Sequence, residues 1–84
     1  MDRNDYLILC QKVSALPVEI LNERKGQEQY KVYFEGIPYI PFGYEMRFNN
    51  GERKNIAILK DMKANSVIRA DLDNVQQGTE DNAG

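Results

Sequence analysis

The stretch Ile37-Pro38-Tyr39-Ile40-Pro41-Phe42-Gly43-Tyr44-Glu45-Met46-Arg47-Phe48-Asn49-Asn50-Gly51 decides the fold class. Ile40, Phe42, Tyr44, Met46 and Phe48 recur at every second position, the spacing that lines one face of a β-strand. A strand over residues 40–48 would span about 30 Å at roughly 3.3 Å per residue, and its repeated face is expected to point to the core. Pro38 and Pro41 remove two backbone donors, which sets that end at a sheet edge or ahead of regular pairing. Gly43 is a natural place for a bend or bulge. Asn49-Asn50-Gly51 then supplies residues that tolerate positive φ, as a tight hairpin turn requires.

On the far side of that turn, Ile56, Ala57, Ile58 and Leu59 mark a returning strand. Lys63-Ala64-Asn65-Ser66 reads as a further turn, with one helical turn over residues 59–65 as the alternative. A last strand is expected over residues 67–75, with Ile68, Ala70 and Leu72 on one face. Upstream, Tyr30, Val32 and Phe34 alternate with Lys31, Tyr33 and Glu35, and Glu35-Gly36 turns that strand into the long one. Val18 and Ile20 flank Glu19 in a short first strand, and the polar residues 22–29, centred on Gly26, read as a loop. The chain begins differently. Tyr6, Leu9, Cys10, Val13 and Leu16 form one stripe of a 3.6-residue period, with Asp2 or Asn4 placed to cap a helix that Pro17 stops. The expectation is an α+β fold: an N-terminal helix packed on a mainly antiparallel, curved sheet of four or five strands, a meander or a barrel-like closure of one. Residues 1–75 form one domain, and the polar residues 76–84 are expected to be a disordered tail.

Composition narrows the function. The chain has 84 residues, one Cys, no His and no Trp. A lone Cys10 cannot make an internal disulfide, and no imidazole exists for acid–base work near neutral pH or for zinc. Asp2, Arg3, Asn4 and Asp5 precede an apolar run of only four residues, Leu7-Ile8-Leu9-Cys10. That is too short for a signal peptide or a membrane span, so the expected setting is soluble and cytoplasmic. The formal net charge of −2 conceals a pattern. Residues 47–69 carry +4 and residues 70–84 carry −4; such an excess can mark an anion-binding surface, but the expected reading is a solvated face offset by the acidic segment that follows.

Motifs of known chemistry are missing. Asp71-Leu72-Asp73-Asn74 begins like a calcium loop, but Val75 and Gln76 stand where an oxygen ligand and a Gly are needed. A nucleophile would have to be Cys10, Ser14, Ser66 or a Lys. Cys10 lies in an apolar stripe, and Lys63 with Ser66 lacks a partner oxyanion site. No catalysis, no metal and no cofactor are expected. Seven of the eight aromatics fall within residues 30–48, beside the basic segment, which makes binding the better expectation. Strict alternation puts Tyr33 and Tyr39 on the face opposite the core with Lys31, Glu35, Glu45 and Arg47. The candidate binding residues are therefore Tyr33, Tyr39, Arg47, Arg53, Lys60 and Arg69.

Two segments, Gly36-Ile37-Pro38-Tyr39-Ile40-Pro41-Phe42-Gly43-Tyr44-Glu45-Met46-Arg47-Phe48 and Ala57-Ile58-Leu59-Lys60-Asp61-Met62-Lys63-Ala64-Asn65-Ser66-Val67, carry a resemblance. Over roughly residues 5–75 the chain resembles small uncharacterised proteins of phages and conjugative elements of Gram-positive bacteria. The resemblance implies a bacterial cytoplasm and an accessory role, and it brings no functional residues with it. The leading expectation is a non-enzymatic interaction protein that binds a protein partner or self-associates through a sheet face or edge. A small anionic ligand such as a nucleotide signal comes second, single-stranded nucleic acid third, and no membrane is expected.

Overall fold

The computed structural model describes residues 1–61 and 63–78. Three helices lead, α1 (Arg3–Ser14), α2 (Val18–Asn22) and α3 (Arg24–Tyr30). Five strands follow: β1 (Val32–Phe34), β2 (Ile37–Asn49), β3 (Glu52–Asp61), β4 (Val67–Asp71) and, after a 3-10 turn (Leu72–Asn74), β5 (Val75–Gln77). Every neighbouring pair is antiparallel, in the order β4-β3-β2-β1-β5. The α+β meander is as expected, with five strands and α1 against β2. β4 and β5 lie at opposite edges, yet only the three residues of the 3-10 turn join them. Three residues bridge about 10 Å, so the sheet must curl until its edges approach. It remains open, because β4 and β5 do not pair.

The Asp2 carboxylate accepts from the backbone N–H of Asn4 at 3.0 Å and of Asp5 at 3.3 Å, so Asp2 is the cap of α1. The stripe on α1 docks as its period requires. Tyr6 and Val13 are buried, and Leu9 and Cys10 pack against the core. The next fifteen residues correct the sequence reading. Val18 and Ile20 belong to helix α2, since an alternation of three residues cannot distinguish a period of 2 from one of 3.6. Residues 24–30 are helix α3, where a loop was expected as far as Gln29 and a strand from Tyr30; the strand begins only at Val32. Arg, Lys, Gln and Glu favour a helix, and one Gly costs only about 1 kcal/mol. The Lys31 ammonium sits 2.6 Å from Glu28 at the end of α3.

The β3–β4 connection is a turn. The Asp61 carboxylate accepts from the backbone N–H of Lys63 at 2.7 Å and of Ala64 at 2.9 Å, which holds that carboxyl below its ordinary pKa. The expected last strand is broken by the 3-10 turn into β4 and β5. Ala70 and Leu72 are buried and Ile68 packs against the core, as expected. β5 pairs with β1 as far as Gln77, so Gln76 and Gln77 are strand residues, where a disordered tail was expected. Of the rest of that tail, Gly78 is half-buried and residues 79–84 lie outside the described residues. Among the described residues no helix is long and apolar enough to cross a membrane.

One irregularity organises the sheet. Between Pro41 and Gly43 the β2–β3 register shifts, leaving Phe42 as the extra residue of a bulge. Before it Tyr39 and Pro41 lie opposite Asp61 and Leu59. After it Tyr44, Met46 and Phe48 lie opposite Ala57, Asn55 and Arg53. Opposite residues share a face in an antiparallel pair. The bulge thus moves the face shared with Leu59 and Ala57 from odd to even positions. Tyr39 is consequently a core residue, 7% exposed, packed with Tyr6, Val32, Leu59, Leu72 and Val75. The bulge is itself fastened. Tyr6, fully buried, donates its hydroxyl proton to the Gly43 carbonyl at 2.7 Å, with the Ile58 carbonyl at 3.1 Å. Burial pushes the Tyr6 phenol far above its ordinary pKa, so it stays a donor. Tyr6→Phe keeps the ring and removes the donor. It should cost about 1–2 kcal/mol of stability, read as a lower midpoint in urea unfolding with an unchanged slope. A midpoint equal to wild type would show that the hydroxyl does not hold the bulge.

Candidate docking surface

β1 has three residues and β2 thirteen. β1 accompanies β2 only as far as Tyr39, and β4 accompanies β3 only over Ile56 to Lys60. Residues 46–49 and 52–55 therefore form a two-stranded arm that no third strand flanks among the described residues. Asn50 and Gly51 close it with φ of +54° and +82°, the paired positive values that a tight hairpin demands. The arm is where the expected core face fails. Met46 is 45% and Phe48 69% exposed, because the apolar row of β2 runs past the helices and strands that could cover it, and Phe42, the bulge residue ahead of the arm, is 61% exposed. Tyr44, at the base of the arm, is half-buried and donates its hydroxyl to Asn55.

The other face of the arm is charged. Glu45 accepts from Arg47 on its own strand and from Arg69 of β4, the latter at 3.3 Å. The two guanidiniums, Arg47 foremost, hold the Glu45 carboxyl below the usual carboxylate range. An acid shared by two arginines lowers the net positive charge that this face offers to phosphate.

The six residues singled out from sequence do not converge. Arg47 and Arg69 meet at Glu45. Arg53 is exposed opposite Phe48, on the other face of the arm. Tyr33 is half-buried on β1, with the Lys31 ammonium 5.2 Å from its ring centroid. Tyr39 is in the core, where the bulge places it, and is unavailable to a ligand. Lys60 stands apart, half-buried at a cavity of about 250 Å³ between α1, α2 and β2. Val13, Leu16, Leu21, Ile40 and Phe42 line that cavity, together with Cys10. The exposed Phe42, Met46 and Phe48 escaped the sequence reading. Their signals were present in Gly43, which marks a change of phase, and in a β2 far longer than its neighbour.

Burial pushes the Cys10 thiol up, which favours its protonated, less nucleophilic form. Alkylation by iodoacetamide at pH 8 should be slower in the native protein than for a free thiol and should speed up in guanidinium chloride. A native rate equal to that of a free thiol would contradict the burial. No protein-family profile, curated protein or solved structure matches the chain.

Proposed function

We propose that this is a non-enzymatic interaction protein, an accessory factor of the phage or mobile-element kind, that docks a protein partner through the β2–β3 arm. The observation that carries this is the exposure of Met46 and Phe48 on one face of an arm whose outer edge is open among the described residues. Apolar side chains exposed in a row on a small domain, beside arginines, have the composition of interface hot spots. An open edge adds backbone donors and acceptors that a partner strand can satisfy. A photo-crosslinking amino acid at Phe48 or Met46 should give adducts in the producing cell that excess unlabelled wild-type protein competes away. The same probe at Ile37, which is 49% exposed away from the arm, should not. Equal labelling from all three positions would count against a docking arm.

A second reading, a small anionic ligand, is favoured by one observation. Lys60 has no carboxylate partner among the described residues and stands half-buried beside apolar walls. At about 30 Å³ per water-sized group the cavity takes roughly eight heavy atoms, which suits a short amphiphilic carboxylate better than a nucleotide. Hexanoate, with its six carbons and two oxygens, should bind saturably by calorimetry. Lys60→Met should weaken it about tenfold, the loss of roughly 1.4 kcal/mol. No heat above dilution at millimolar hexanoate would remove this reading. Single-stranded nucleic acid has the least support, because Tyr39 is buried and Glu45 already occupies Arg47 and Arg69.

A further inference from the structure

The outer edge of β2 has a defined length. At its start, α1 lies against Gly43, whose carbonyl takes the Tyr6 hydroxyl and has the Cys10 sulfur 4.0 Å away. At its end, Asn49 is the last strand residue before the turn. Between them stands the segment Tyr44-Glu45-Met46-Arg47-Phe48, with β3 on one side and, among the described residues, no strand on the other. Its pattern is close to palindromic: aromatic, charged, Met, oppositely charged, aromatic.

We propose that the partner of this edge is a second copy of the same chain, paired antiparallel through Tyr44–Phe48 with Met46 on the two-fold axis. The proposal rests on the arm being the docking surface and names what it docks. The two-fold axis of an antiparallel pairing of one edge with itself runs perpendicular to the sheet, so one residue always faces its own copy. Five registers centre on this segment, and charge separates the most central of them. Centred on Glu45, the two carboxylates face each other. Centred on Arg47, the two guanidiniums do. Like charges directly opposite are destabilising. Centred on Met46, Glu45 faces Arg47 of the second copy and Arg47 faces its Glu45, while Tyr44 faces Phe48 on the apolar side. That register also uses the whole free segment. It joins two sheets into one and covers Met46 and Phe48, the exposed residues of the arm beyond the bulge. Glu45 already accepts from Arg47 and Arg69 of its own chain, so the trans pairs extend an existing network.

Sedimentation equilibrium of the full chain from roughly 10 µM to 1 mM, the range suited to a small interface, tests it. Wild type should dimerise. Glu45→Arg alone and Arg47→Glu alone should each weaken self-association at least tenfold, since each sets two like-charged pairs opposite one another. An equimolar mixture of the two variants should form a heterodimer, because each opposing pair is then again Arg with Glu. This rescue needs both variants folded and does not follow from a structural role of either side chain. Antiparallel partners have Cα atoms about 4.5–5.5 Å apart, within disulfide reach. In a Cys10→Ala background, Met46→Cys should therefore oxidise to a covalent dimer, while Phe48→Cys should not. A wild-type monomer at 1 mM overturns the dimer, and crosslinks from Phe48 to another protein would then leave the docking arm standing. Single variants that stay dimeric, a mixture that does not associate, or a crosslink preferring position 48 overturn the register and with it the proposal.

Discussion

The Tyr6 hydroxyl, donated to Gly43 across the bulge of β2, is the contact on which the rest of the structure turns. A bulge leaves backbone groups out of the ladder, and a buried carbonyl without a donor costs about 1–3 kcal/mol. Tyr6 meets that need from α1 while its ring fills the core beside Tyr39, Leu59 and Leu72. One side chain thereby fixes where the helix crosses the sheet and where the strand changes phase. Asp2, capping α1 one turn earlier, holds Tyr6 in place.

From the bulge follows the division of β2 into two unlike halves. Tyr39, Ile40 and Pro41 are all buried, because helices and strands cover both faces there. Beyond Gly43 the same strand has β3 and little else. The alternating apolar pattern is continuous across both halves, but its surroundings are not. Met46 and Phe48 are therefore exposed with the same spacing that would bury them in a longer sheet. Among the described residues no further element lies over them, and an exposed apolar pair of this kind suits an external surface.

Charge is distributed to match. The sequence pattern of a basic middle and an acidic end does not become a basic face. Glu45 gathers Arg47 and Arg69 around itself, Arg53 lies on the opposite side of the arm, and Lys60 sits at the helix–sheet cavity. Local pairing of this kind favours registry in a contact over long-range attraction of a polyanion. The open edge, the apolar row and the alternating Glu45 and Arg47 all belong to one segment of five residues.

The sequence by itself determined the elements whose signals are local. The stripe of α1, its Asp2 cap, the Asn50-Gly51 hairpin, the Glu35-Gly36 turn and the identity of β2 and β3 all follow from periodicity and from backbone conformations that few residues tolerate. It misread residues 18–30, where a three-residue alternation and a single Gly outweighed good helix-forming composition. It could not assign faces along β2, since one extra residue inverts every side chain after it, and only pairing with β3 shows where that residue is. Burial of Tyr39, exposure of Phe48 and the meeting of Arg47 with Arg69 at Glu45 depend on which strands run alongside and where they stop. Those lengths are set by the tertiary structure, because covering a residue takes a neighbour, and neighbours come from parts of the chain distant in sequence.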